Sequence, residues 1–389
     1  MIPVLLILIP LIAGLASFFL KNDKSVRTWV LFSSFITLSV SILGLTVLKE
    51  AKYLEHQCEW MQALGSSFSV KLDGMAQLLC LLNAIAYPLV ILSTLNSSYK
   101  KPNNFFGLML LAQAGMMGVF LATDALLFYF FWELALIPMY FLCSQWGGEK
   151  RIAVTFKFFI YTFIGSLLML IGILYIYSHT ADRSFSMDSF YNVALSKKEQ
   201  SVIFWLIFVA FAIKMPIFPL HTWQPDTYEQ APTATTMILS GVMVKMGLFG
   251  LLRWLFPVLP NASYIWGDFI TPLALIGMVY ASLIAIRQDD LKRLVAYSSI
   301  AHIGLMCAAA FAQNASGIQG LMLQMFNHGI NIIGLWIVVE LIERQFGTRK
   351  ISELGGLAQK APAMAILLII VALANIALPL TNAFPGEFL

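Results

Sequence analysis

Apolar windows of about 20 residues, the length a helix needs to cross a bilayer, recur along the whole chain. They fall at 2–20, 28–48, 73–96, 105–122, 124–146, 153–178, 201–236, 237–257, 264–286, 293–312, 317–344 and 362–389, with short polar stretches between them. This pattern predicts an all-α polytopic membrane protein with about 12 transmembrane helices. Eleven spans read as complete and the twelfth as cut by the end of the sequence. No soluble domain is left over. The first window lacks a basic leader and a small-residue cleavage site, so it reads as a first helix and not as a signal peptide.

Two windows break the pattern. Between Val202 and Pro232 an uncharged apolar run leads into Lys214-Met215-Pro216-Ile217-Phe218-Pro219. Proline has no amide hydrogen, so Pro216 is expected to free the carbonyl of Ala212 and Pro219 that of Met215, on either side of Lys214. Irregular backbone at membrane depth is tolerated where it is buried in protein or lines a wet cavity, and discontinuous helices mark ion sites in transporters. Val371 to Pro379 (VALANIALP) resembles Val209 to Pro216 (VAFAIKMP) and is followed by a second polar, Pro-containing stretch. The copies lie five spans apart, and an odd offset turns one upside down relative to the other. Inverted repeats with two discontinuous helices are therefore expected.

Composition agrees. The chain is 59% hydrophobic and only 11% charged, and its net charge of +4 is spread among short loops. No basic block exists to hold a nucleic acid, so membrane lipid is the expected surroundings. Cys58, Cys80, Cys143 and Cys307 are scattered without a C-x-x-C pair and read as small apolar core residues, with no metal site. Loops after spans one, three, five, nine and eleven carry most of the Lys and Arg, including Lys100, Lys101, Arg151, Arg293 and Arg349. A few more, Lys49 and Arg183 among them, follow spans two and six. That bias places the amino terminus outside.

Charge inside the spans carries the chemistry. Glu133 stands in Phe128–Pro138, Lys245 in Ser240–Gly250, His302 and His328 in the tenth and eleventh spans, and Glu387 at the second break. A charge at the centre of a span costs about 2.5 to 3.5 kcal/mol on insertion scales, so such residues tend to be functional. The plain alternatives are a structural ion pair between Glu133 and Lys214 and hydrogen-bonded core histidines. Asp73, Asp124, Asp226 and Glu229 lie near span ends and read as solvated or capping groups; Lys157 reads as a snorkelling side chain. No flavin, haem, iron-sulfur or nucleotide fingerprint accompanies the series, so the chain can move protons or cations but cannot itself carry out redox chemistry.

Phe131-Trp132-Glu133-Leu134, Lys157–Thr162, Lys214–Asp226, Ala231-Pro232-Thr233 and Ile286–Gly304 together resemble the antiporter-like subunits of proton-pumping NADH:quinone oxidoreductase, respiratory complex I. The resemblance runs over essentially the whole chain. Gly386-Glu387-Phe388 matches the branch of the family that carries glutamate at the second break where others carry lysine. Gln224 and Thr227-Tyr228-Glu229 depart from the residues more usual after the first break. The resemblance implies about 14 helices in all, so the chain would continue for about two helices past Leu389 and reads as a fragment or shortened form.

It also implies a relay. Glu133 and Lys214 would be the pair of a first half-channel, Lys245 the central relay, His302 and His328 the connectors, and Glu387 the terminal group of a second half-channel. The domains expected are 1–104, N-terminal helices; 105–257, a first half-channel repeat; and 258–389, a second, inverted repeat. NADH, FMN, iron-sulfur clusters and quinone would belong to partner subunits, none being bound by this chain. The expected partners are other membrane-arm antiporter-like subunits and the redox subunits, in a bacterial inner membrane. Two other classes remain open on the residues alone: a subunit of a multisubunit Na⁺/H⁺ antiporter, and a non-pumping structural subunit.

Overall fold

The computed structural model describes residues 1–48 and 50–389; Lys49, counted above among the loop bases, lies outside the described residues. Each apolar window is occupied by helix. The elements are α1 (Ile2–Ser17), α2 (Asp23–Thr46), α3 (Gly74–Ser93), α4 (Pro102–Leu121), α5 (Ala125–Trp146), α6 (Arg151–His179), α7 (Lys197–Lys214), α8 (Trp223–Gln230), α9 (Thr233–Val258), α10 (Pro260–Ile286), α11 (Leu291–Phe311), α12 (Ala315–Phe346), α13 (Pro362–Asn375) and α14 (Phe384–Phe388). Among the described residues, nine of these are long and apolar enough to cross a membrane by themselves. The interrupted windows supply the pairs α7–α8 and α13–α14.

Hydropathy does not say which helix is central; burial does. The most apolar window of α9 is 100% buried, whereas that of the still more apolar α10 is 22% buried. α10 turns Phe269, Ile276, Val279 and Leu283 outward, as a lipid-facing helix does. α9 therefore sits at the axis of the bundle, packed by α7, α3, α11 and α12. It is no plain α-helix either, since Leu239–Met243 and Leu251–Leu255 are π-helical turns.

The first break differs from the expectation in one respect. Pro216 cannot donate to Ala212, but the Ile217 N–H reaches five residues back to that carbonyl at 3.2 Å. The diverted donor leaves the carbonyl of Ile213 to the indole N–H of Trp223, at 3.0 Å. Ala212 is thus satisfied, and the freed group next to Lys214 is that of Ile213. The second break repeats the stitch, with the Leu378 N–H reaching Leu373 O at 3.1 Å. Lys214 ends α7 as Asn375 ends α13, and α8 opens at Trp223 as α14 opens at Phe384. Register for register, Asn375 stands where Lys214 stands, and Glu387 where Asp226 stands. Within this chain, the residue in register with Lys214 at the second break is thus an amide, Asn375.

An element outside the helices went unread. Glu55–Met61 and Ser66–Lys71 form a short antiparallel hairpin between α2 and α3 of the otherwise helical bundle. It lies over the start of α5, where Asp124 accepts from Ser66 Oγ (2.9 Å) and the Ser67 N–H (3.0 Å) while capping the Leu126 and Leu127 amides. The capping role expected of Asp124 holds, and Asp73 likewise caps α3 at Ala76 while pairing with Arg253. Cys80, Cys143 and Cys307 are buried as expected; Cys58, on the hairpin, is exposed.

At the opposite end the basic loops gather. Trp146 Nε1 donates to Lys100 O (2.6 Å), the Gly148 N–H to Gln230 O (2.7 Å) and the Leu291 N–H to Arg349 O (3.0 Å). Loops after spans three, five, nine and eleven thereby meet on one side of the bundle.

Candidate functional site

Four of the six ionisable residues singled out in the sequence lie in one string. The π turn of α9 begins it: the Val244 N–H donates to Leu239 O at 3.2 Å and skips Ser240, whose carbonyl accepts from Lys245 Nζ at 2.7 Å. Lys245 is wholly buried, and its Nζ also meets His328 Nδ1 at 2.8 Å. The His328 and His302 rings lie 5.5 Å apart, centroid to centroid. His302 Nδ1 in turn stands 2.8 Å from Glu387 Oε1, which also accepts from Gln324 Nε2 at 2.8 Å. The spatial order is Lys245, His328, His302, Glu387, so the two histidines come in the reverse of their order in the sequence.

Backbone proximity makes this string possible. A Cβ on Gly329, next to His328, would lie 2.8 Å from Gly241 O and 2.7 Å from the methyls of Leu82. Only a glycine lets α12 approach α9 so closely. Gly329→Ala is expected to cost about 1–3 kcal/mol through overpacking and to lower proton transfer by parting Lys245 from His328. The melting midpoint of the detergent-solubilised protein and its transport rate check both effects; a variant that melts and transports as the parent does would contradict this packing.

The other two residues are placed differently. Lys214 Nζ and Glu133 Oε1 are both buried without a hydrogen-bond partner, so they do not form the structural ion pair considered above. Lys214 instead lies 5.3 Å from the centre of the Trp132 ring, a cation–π distance. Lys214 and Lys245 share no direct contact, but their helices do. A Cβ on Gly247 would stand 2.7 Å from Phe211 O, so α9 backs onto the last turn of α7.

A second cluster holds α8. Lys157 Nζ donates to Thr222 O (2.8 Å) and to Asp226 Oδ2 (2.9 Å), so it does not simply snorkel. Arg293 bridges Asp226 and Glu229 at 3.3 and 2.8 Å, and Arg349 joins Glu229, Asp290 and Glu343. Asp226 and Glu229 are thus paired, not merely solvated or capping. In the neighbouring loop Asp289 accepts from the Ser352 N–H and Oγ at 2.8 Å each, and these bonds hold its carboxyl below the usual carboxylate range. A cavity of about 660 Å³ opens beside the cluster, lined by Trp146, Arg151, Glu229, Lys292, Glu343 and Arg349. Arg293→Ala is expected to cost about 1 kcal/mol, because the pair is partly exposed and screened. The cost should shrink with added salt, read as the heat-inactivation midpoint against ionic strength.

Sequence reasoning counted Arg293 and Arg349 only for orientation, and it passed over Gln324 and Asn375. Uncharged amides inside apolar spans were the available signal. Both side chains are at least nine-tenths buried, 2% and 6% exposed, and each has an oxygen without a partner.

A bundle with two stitched helix breaks and a buried string of lysine, histidine and carboxylate defines a membrane ion-translocation protein. The family model described as NADH:quinone oxidoreductase/Mrp antiporter, TM, matches residues 122–389. The chain is 37% identical to NADH-quinone oxidoreductase subunit M of Rickettsia prowazekii, covering 98% of this chain and 80% of that one. It is 36% identical to F(420)H(2) dehydrogenase subunit M of Methanosarcina mazei, over 100% and 81% of the two. A chain in the structure of respiratory complex I from Thermus thermophilus with bound NADH superposes with a TM-score of 0.93 at 28% identity, over 100% of this chain and 81% of that one. This chain belongs to the NADH:quinone oxidoreductase/Mrp antiporter transmembrane family, and its similarity to subunits named M agrees with the glutamate branch read from Gly386-Glu387-Phe388.

Proposed function

We propose that this chain is a proton-translocating membrane-arm subunit of an NADH:quinone oxidoreductase, moving protons through Glu133, Lys214, Lys245, His328, His302 and Glu387. The observation that carries the reading is the run from Lys245 to Glu387, in contact at Lys245–His328 and His302–Glu387 and spanned between them by two histidine rings 5.5 Å apart. Lys214, buried at the first break, feeds it. At an effective dielectric of about 20, opposite charges roughly 4 Å apart attract by about 4 kcal/mol and at roughly 8 Å by about 2 kcal/mol. Moving charge toward or away from Glu133 therefore changes proton occupancy of Lys214 by more than tenfold. The two breaks, stitched alike, support a reading in which each half of the bundle holds one half-channel, the second inverted on the first.

The driving chemistry belongs to partner subunits holding flavin, iron-sulfur clusters and quinone. Similar chains serve in complexes named for NADH and for F(420)H(2), so the electron donor is set by the partners. The amino terminus and the hairpin face outward, and the gathered basic loops face the inside of a bacterial inner membrane. Mild-detergent purification of the native complex, followed by proton-uptake measurement in inverted vesicles, tests the reading. Co-purifying flavin and iron-sulfur subunits with NADH-driven uptake support it. Their absence, with Na⁺-dependent proton exchange, would mark a subunit of a Na⁺/H⁺ antiporter, and uptake unchanged by loss of Lys245 would mark a structural subunit.

A further inference from the structure

The second helix break holds a side chain that this relay does not use. Asn375 is the last residue of α13; its Nδ2 donates to Ser298 Oγ at 3.1 Å and faces His302 Nε2 at 3.3 Å. Its Oδ1 is buried without a partner. An amide NH₂ group offers only hydrogens, so the ring nitrogen facing it presents a lone pair. The proton of neutral His302 then sits on Nδ1, where Glu387 Oε1 waits 2.8 Å away. In this orientation Asn375 selects the tautomer that aims its proton at Glu387.

A proton bound at Nε2 reverses the demand. Two donors would face each other, and the unpartnered Oδ1 lies one half-turn of the amide away. After that rotation Oδ1 accepts from Nε2–H and from the Ser298 hydroxyl, and the clash of two facing donors is removed, while the NH₂ takes the buried place that Oδ1 leaves. We propose that Asn375 is a positioning residue with two states, NH₂ toward a bare Nε2 and Oδ1 toward a protonated one, which sets the side of His302 that holds the proton facing Glu387. This rests on the relay proposed above. In the step itself an N–H bond of protonated His328, whose ring lies 5.5 Å away, breaks as its proton bonds to His302 Nε2, the Nδ1–H bond breaks, and an O–H bond forms on Glu387. The His302 ring is neutral before and after, His328 goes from cation to neutral, and the carboxylate goes from charged to neutral.

A separate observation points the same way. Asn375 occupies the register position that Lys214 holds at the first break. Each first half-helix therefore ends on a nitrogen-bearing side chain, an amine in one and an amide, which does not titrate near neutral pH, in the other. The titratable groups facing His302 are Glu387 on α14 and His328 on α12, with Lys245 of α9 behind His328. α8, also packed on α11, brings Asp226 and Glu229 to Arg293, more than two turns away along that helix. Among the described residues, no side chain of α10 hydrogen-bonds to the ring.

The test uses vesicles carrying the assembled complex, with variants Asn375→Leu, Asn375→Asp and Asn375→Ser, and reads proton uptake against pH alongside complex assembly on native gels. Leu, which neither donates nor accepts, is expected to lower uptake about tenfold. Asp, once ionised, only accepts; it should hold the Nε2–H form and move the alkaline limb of the profile to higher pH. Ser keeps a donor and an acceptor and should retain most of the uptake. Profiles for Leu and Asp that superimpose on the parent's would overturn the proposal, as would Ser falling as far as Leu. If Leu does not assemble, the near-isosteric Asp decides by the position of its alkaline limb. His302→Ala separates the two layers: full uptake there refutes the relay through His302, whereas loss there with unchanged Asn375 variants refutes only the role of Asn375.

Discussion

Lys214→Ala is expected to abolish proton uptake, or reduce it by at least about tenfold, while leaving the complex assembled. The ammonium is 1% exposed, has no hydrogen-bond partner, and lies over the Trp132 ring at the end of α7. Nothing that holds the bundle together passes through it. The break is stitched by Ile217 to Ala212 and by Trp223 to Ile213, and neither bond involves the lysine side chain. Losing Nζ therefore removes the proposed proton carrier without unpairing a neighbour, the circumstance in which a substitution reads out function and not folding. Dye-reported acidification of inverted vesicles, normalised to the complex present, gives the answer. Normal uptake with normal assembly would remove Lys214 from the relay.

Replacing Lys245 by leucine should be as severe for transport and harder on the structure. Its Nζ is a donor to Ser240 O and meets His328 Nδ1, so Lys245→Leu leaves both buried atoms unpartnered. Each orphaned group costs about 1–3 kcal/mol. Uptake is expected to vanish and the melting midpoint to fall, in contrast to Lys214→Ala, which should melt near the parent. The same two measurements on both variants separate a carrier that is also a brace from one that is not. A Lys245→Leu complex that melts like the parent would show that the contacts with Ser240 and His328 do not form.

Much of this was legible from residue order. Among the described residues every apolar window overlaps a helix, and proline spacing located both breaks, because backbone that cannot hydrogen-bond in lipid leaves a mark in the sequence. Lys245, His302, His328 and Glu387 stood out since an unexplained charge in an apolar span is rare. What stayed hidden was set by tertiary approach. Nothing local orders His328 before His302; that follows from Gly329 letting α12 close on α9. The stitch that satisfies Ala212 depends on an amide three residues past the break-site lysine, so its carbonyl is not free as the proline spacing suggests. Asn375 carries no charge, so only its tertiary contact with His302 sets it apart. The hairpin leaves no mark in apolar length because its strands are short and the first of them is mostly exposed.

The string from Lys245 to Glu387 has an electrical consequence. Lys245, His302 and His328 each lie near the middle of their helices, and Lys214 and Glu387 flank breaks inside theirs. Their line therefore runs sideways, in the plane of the membrane. A charge crossing the full potential works against about 2.3 kcal/mol per 100 mV, but displacement parallel to the membrane crosses almost none of it. Voltage should retard only the short vertical legs that load Lys214 and empty Glu387, so back-pressure from a charged membrane would slow loading and unloading while the lateral handover keeps its rate.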